Sequence, residues 1–331
     1  MAIDPNPFEA LQQIAAGACL PRCLHVVAEL GVADALDEGP QTTTELATAV
    51  GAHPDALHRI LRLLSANGVF ELRGHQVQHT LESRLLRADH PQSMKSFALM
   101  FGLPINWSSF LDFRHTAQTG QPASSKTLPG GYWSYFERDP TAARIFNAAM
   151  SAKAQGQVAA IMAAYDFSQF KAIADIGGGR GHLLSAVLNA TPSATGVLFD
   201  LPHVIREASA VATDRLILQA GDFFLDALPG CDLYLLMEVI HDWGDQEATL
   251  ILRAIRRAAP DGATLLLLES VVPEEPGPSF TKTLDIVMLA LLGGKQRSRA
   301  EYDALLSESG FSIGRETPTR GGISILEATV S

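Results

Sequence analysis

The stretch that decides the fold is "AIADIGGGRGHLLSAVLNA", residues 172–190. A five-residue apolar run of strand length breaks into glycines, and "HLLSAVLNA" then resumes with apolar residues at helical spacing. Strand, glycine turn and helix in that order open a nucleotide-type α/β sheet. The N–H groups of such a turn and of the helix N-terminus face a polar ligand, and only glycine lets a ligand come so close to the backbone.

The alternation continues downstream. "GVLFD" leads to a helix after Pro202, and "LILQA" ends at "GDFF". "LYLLM" precedes a helix from Asp245 to Ala259, and "ATLLLLE" is a fifth strand. Strands apolar at every position are covered on both faces, as in a parallel sheet. After a helix in "SRAEYDALLSESGF", capped by Ser298 and Glu301, come two last strands, "SIGRETPT" and "GISILEATV". The expected fold is α/β, a doubly wound Rossmann-like domain over 166–331 with an antiparallel edge.

Upstream, residues 1–95 read as a separate, mainly helical domain. Thr42 and Glu45 have capping-box spacing, and a second helix follows Pro54 with Leu57, Ile60, Leu61 and Leu64 on one face. "VFEL" and "QVQHT" then form a hairpin, completing a winged-helix-like pattern. DNA binding is disfavoured: these 95 residues carry 11 acidic against 7 basic side chains, and the whole chain has a net charge of −11. A dimerisation platform is the preferred reading. Residues 96–165 are a helical linker rich in aromatic residues, among them Phe97, Trp107 and Phe136 beside Met100. Such a cluster reads equally as core or as the wall of an apolar ligand pocket.

The chain has 331 residues, 47% of them apolar, as in a globular protein. It has no apolar run near the ~18 residues of a membrane span, and "MAIDPNPFEA" shows no leader pattern. The expected place is the cytoplasm, with neither membrane nor nucleic acid as partner. Three cysteines fit a reduced compartment, and the Cys19/Cys23 pair at i, i+4 reads as core rather than a metal site.

Acids close three successive strands. Asp175 precedes the glycines Gly177, Gly178, Gly179 and Gly181; Asp200, with Leu201 beside it, lies 23 residues beyond Gly177. That is where a ribose would be held. Asp222 is followed by Phe223 and Phe224, suiting an adenine edge and face. G-x-G-x-G is not the dinucleotide fingerprint, and no lysine-bearing phosphate loop is present. After "LYLLM", "EVIHDWGD" brings His241 to the mouth of the sheet, where core packing, metal ligation and proton abstraction are all open. No metal-binding cluster supports the second.

Taken together, "DIGGGRG", "LFDLPHV", "GDFF", "HDWGD", "LLLLES" and "LDIVMLALLGGKQRS" resemble the class I S-adenosylmethionine-dependent O-methyltransferases, of the dimeric type found among caffeate-like plant enzymes and bacterial natural-product enzymes. The resemblance covers nearly the whole chain. It implies S-adenosylmethionine as cofactor and S-adenosylhomocysteine as product, no metal, a small aromatic hydroxyl-bearing substrate, and a homodimer through the N-terminal domain. By position, Asp175 and the glycines would line the methionine part of the cofactor, Asp200 and Leu201 the ribose, and Asp222 and Phe223 the adenine. Met150, Met237 and Trp243 would lie near it. His241 matches the catalytic base and Glu269 the acid that orients it. Asn147, Asp242 and Met288 join the aromatic residues as substrate-pocket candidates.

Two positions depart from the plant-like pattern. Met237 stands where a lysine is frequent, and Gln296 where a second acid flanks the histidine, so His241 would lean on Glu269 alone, with Asp242 the nearby alternative. Alternatives are N-methylation, a methyltransferase fold used for decarboxylation or hydroxylation, an NAD-dependent dehydrogenase, or a winged-helix regulator.

Overall fold

The computed structural model describes residues 6–36, 38–128 and 130–330. They form two compact units, one of residues up to 107 with 136–152, the other of 108–135 with 153 onward.

In the first unit, β1 (Gln41–Thr42), β2 (Phe70–Arg73) and β3 (Gln76–His79) pair antiparallel in the order β1-β3-β2. The expected hairpin is β2–β3; β1 is too short to leave an alternation in the sequence. The Thr42–Glu45 capping box closes as expected and starts the helix Thr43–Ala49. The helix Pro54–Ser65 buries Leu57, Leu61 and Leu64. They pack with Val27, Leu36, Leu46 and Phe70, each worth roughly 1.5–3 kcal/mol of apolar transfer.

One expectation fails here. Cys19 is exposed and Cys23 only half-buried, so the pair is not core. The helix Cys19–Leu30 instead buries His25, Val27 and Ala28. The i, i+4 spacing identifies a stripe but not which stripe turns inward.

The second unit is built on seven strands: β4 (Ala172–Ile176), β5 (Thr195–Asp200), β6 (Leu216–Ala220), β7 (Leu233–Met237), β8 (Thr264–Glu269), β9 (Phe311–Pro318) and β10 (Ser324–Val330). Their order is β6-β5-β4-β7-β8-β10-β9, with β10 antiparallel to both neighbours and the rest parallel. The period of two sorts the apolar strands cleanly. Leu233, Leu235, Leu266 and Leu268 pack on one face with Leu184 and Val187; Tyr234, Leu236, Leu265 and Leu267 pack on the other with Leu252, Ile255 and Tyr302. The chain runs outward from β4 through β5 and β6, then restarts at β7 on the opposite side. The crevice beyond the carboxyl ends of β4 and β7 is therefore the topological switch point, where ligands bind open α/β sheets. Among the described residues, no helix is long and apolar enough to cross a membrane.

Candidate active site

The glycine turn after β4 is tight for identifiable reasons. Gly177, Gly179 and Gly181 have φ of 68°, 59° and 73°, left-handed values that cost a side-chain-bearing residue. Gly178 has no room for a Cβ, which would strike the Asp175 carboxylate and Leu198. The Asp175 side chain, 1% exposed, is thus walled in by the turn it precedes. Neither of its oxygens has a partner within full hydrogen-bond distance among the described residues. Burial first, and then the nearby Asp200, push its carboxyl up to about 7, against weak help from the Leu184 N–H. An unpaired buried carboxylate is poised for a cation.

Asp200, ending β5, accepts from the Gly179 N–H at 2.8 Å and from the Leu201 N–H at 2.7 Å. Burial raises its pKa, opposed by those two bonds. Leu201 is 42% exposed at the rim. Beyond β6, Asp222 accepts from the Phe224 N–H at 2.9 Å. Phe223, Phe224 and Trp243 meet edge to face, with centroids 4.8, 4.9 and 5.9 Å apart, and form an aromatic wall.

His241 sits on a single 3-10 turn, Ile240–Asp242, just past β7. Its Nδ1 lies 2.7 Å from Glu269 Oε2 at the end of β8. A carboxylate only accepts, so Nδ1 carries the proton and Nε2 holds the lone pair of the neutral ring. The other oxygen, Glu269 Oε1, accepts from the N–H groups of Ile240 and His241 at 2.9 and 3.3 Å. One fully buried carboxylate thereby fixes both the backbone and the tautomer of the histidine. Asp242 Oδ1 stands 3.4 Å from Nε2. Burial works against the imidazolium, but Glu269, Asp242 and Glu238 outweigh it and raise the pKa to about 9. Asp242 itself is pushed up to about 6, chiefly by burial.

Residues 112–312 match the O-methyltransferase domain, and residues 12–89 the O-methyltransferase dimerisation domain. The chain belongs to the O-methyltransferase family. This O-methyltransferase is 40% identical over 324 residues to a phenazine O-methyltransferase of Lysobacter antibioticus, covering 96% of this chain and 95% of that one. It is 38% identical over 322 residues to a mitomycin biosynthesis 6-O-methyltransferase of Streptomyces lavendulae, covering 95% and 92%. Its structure superposes on that of CalO1, a methyltransferase in calicheamicin biosynthesis in its S-adenosylhomocysteine-bound form. The TM-score is 0.88 at 30% identity, over 99% of this chain and 100% of that one. The cofactor of this O-methyltransferase is S-adenosylmethionine. The crevice suits that group: a buried unpaired carboxylate for an ammonium, a second acid at the ribose position, and an aromatic wall for adenine. Among the described residues, no cluster of metal ligands occurs.

The switch point of this O-methyltransferase gathers Asp175, the glycines, Asp200, Leu201, Asp222, Phe223, Met237, His241, Asp242, Trp243 and Glu269 at the strand ends. Gln296 is 3% exposed; its N–H donates to Asp285 Oδ1 at 2.9 Å, while its side-chain amide bonds neither the imidazole nor any other group among the described residues. Met288 lies on the helix Phe280–Leu291 of the same unit. Phe97, Met100, Trp107, Phe136, Asn147 and Met150 belong to the first unit. Of these only Met100 is buried.

Sequence reasoning passed over Glu238 and Lys153. Glu238 is the only non-glycine with positive φ among the described residues, at 54°, a strained setting of the kind found at working sites. Its carboxylate meets Lys153 Nζ at 2.5 Å. Burial opposes its ionisation, but Lys153 and then His241 hold its pKa low. The signal was present: a lone acid inside the buried run "LYLLMEVI". Lys153 supplies the cation that meets Glu238.

Proposed function

We propose that this O-methyltransferase methylates a phenolic hydroxyl of a small aromatic or polyketide-like metabolite, with His241 as general base and Glu269 orienting it. The observation that carries this reading is the 2.7 Å Nδ1–carboxylate hydrogen bond at the mouth of the switch point. Asp175 and the glycine turn would hold the methionine part of the cofactor, Asp200 and Leu201 the ribose, and Asp222, Phe223 and Trp243 the adenine. When bound, S-adenosylmethionine supplies an electrophilic methyl group on sulfur.

The remaining chemistry is the protein's. A phenol has a pKa near ~10, so only about one in a thousand is ionised at neutral pH. An imidazole held at about 9 is a far better match for that proton than one near ~6.5. The imidazolium formed is stabilised by Glu269, which has no solvent to share its charge with. Gln296 offers a buried, unpaired amide, suited to a polar group on the acceptor rather than to charge balance. The helix Pro7–Ala15 leaves Phe8, Leu11 and Ile14 68–76% exposed, which supports a homodimer through the N-terminal domain. We place the enzyme in the cytoplasm.

A base must be neutral to act, so turnover should rise with pH, with a midpoint between the ordinary 6.5 and about 9. Glu269→Gln deletes the largest influence raising that pKa. Its acid limb should move to lower pH while the plateau falls at least about tenfold through loss of tautomer and orientation. Gln296→Ala should cost no more than about threefold in kcat and act on KM. Labelled-methyl transfer followed from about pH 5.5 to 9.5 checks both. Equal losses, or an unmoved limb in Glu269→Gln, would refute this division of roles.

A further inference from the structure

One segment, Gly294–Arg297, claims three carbonyls of the turn that carries His241. The Lys295 N–H donates to His241 O at 2.9 Å. Arg297 Nη1 donates to Ile240 O at 3.2 Å and to Lys295 O at 3.1 Å, and Nη2 donates to Trp243 O at 3.0 Å. Nε and Nη2 both reach Asp245 Oδ1, at 2.9 and 2.8 Å. At Gly294 a Cβ would fall on the His241 carbonyl oxygen and the Asp242 peptide, so the segment lies flush against the turn.

Arg297 is 0% exposed, yet its one carboxylate partner among the described residues, Asp245, has a side chain 60% exposed. Burying a guanidinium against so exposed a counter-charge is a poor route to stability, since an apolar side chain of that volume would fill the space more cheaply. What an apolar side chain could not do is hold the carbonyls on either side of His241 at once. The planar fork does this, with the Tyr302 ring 6.0 Å from its central carbon.

We infer that Arg297 is a positioning residue for methyl transfer, acting through His241 and Trp243. By fixing the Ile240 and Trp243 carbonyls it sets the imidazole against Glu269 and the indole against Phe223 and Phe224. This rests on the proposed role of His241.

The test is a double-mutant cycle on the full-length enzyme with labelled S-adenosylmethionine. Arg297→Lys keeps the charge but cannot span the two carbonyls. It should lower kcat about 10- to 100-fold with acceptor KM within about threefold, and should shift the acid limb of the pH profile. In a His241→Ala background the same change should cost at least about threefold less than in the wild-type background, the remainder being what it contributes through Trp243. A purely structural role would give equal losses in both backgrounds and an unmoved limb. Equal losses, or kcat of Arg297→Lys within about twofold of wild type, would overturn the inference. Should Arg297→Lys fail to fold, Asp245→Asn at its exposed anchor should cost about three- to tenfold with the same non-additivity, and additive loss there would overturn it equally. Near-full turnover of His241→Ala alone would instead remove the base assignment.

Discussion

His241→Ala should lower methyl transfer about 10²- to 10⁴-fold, with the affinity for S-adenosylhomocysteine within about threefold of wild type. The loss is that of a positioned base. The residual rate reflects in-line placement of the reactants, worth roughly 7–11 kcal/mol and supplied by the rest of the site. Alanine leaves Glu269 buried, though Oε1 still accepts from the Ile240 and residue-241 N–H groups. His241→Asn is therefore the companion variant, since its amide lies where Nδ1 does and can still donate to Oε2 without taking a proton. Both should lose turnover alike; more than about a third of wild-type activity in a folded variant would remove His241 from its role.

Asp175→Asn should make the protein more stable and bind its cofactor worse. The Asp175 carboxyl titrates at about 7 in the folded chain, against an ordinary 3.8. Between those values the folded chain keeps a proton that the unfolded chain has released, so stability falls as pH rises from about 4 to 7 and stays lost above. The shift corresponds to at most about 4 kcal/mol. Asparagine abolishes that pH dependence, so the variant should melt higher than wild type at pH ~7.5, and the gap should close near pH ~4. Loss of the charge proposed to face the ammonium should weaken cofactor binding about 10- to 100-fold, the range of a charge-assisted hydrogen bond. Thermal melts at both pH values with calorimetric titration of S-adenosylhomocysteine check the two effects. A less stable variant with unchanged affinity would contradict the placement of Asp175.

The parallel sheet was legible because its central strands are covered on both faces, leaving runs such as "LYLLM" and "TLLLLE" that no half-exposed element would carry. The glycine turn was legible because left-handed backbone at 177, 179 and 181 and a walled-in acid beside 178 favour glycine at those four positions. Pairing of His241 with Glu269 was visible only through resemblance: 28 residues separate them, and the adjacency of β7 and β8 brings them together. Glu238 went unread although a lone acid inside the buried run "LYLLMEVI" was a signal, because its positive φ is imposed by its surroundings. Arg297 went unread although it lies in "GGKQRS", since bonds to the carbonyls of a turn more than 50 residues earlier leave no mark in the sequence. At Cys19 and Cys23 helical spacing misled, because periodicity alone does not say which face meets the core.

The most direct measurement is transfer of labelled methyl from S-adenosylmethionine to a panel of hydroxylated phenazines and naphthols. S-adenosylhomocysteine and product would be quantified together, and the product's new bond located by NMR. The expected result is equal amounts of S-adenosylhomocysteine and an aryl methyl ether for at least one acceptor, lost in His241→Ala. Methyl found on nitrogen, or acceptor consumed without release of S-adenosylhomocysteine, would contradict a histidine-driven phenolic O-methylation.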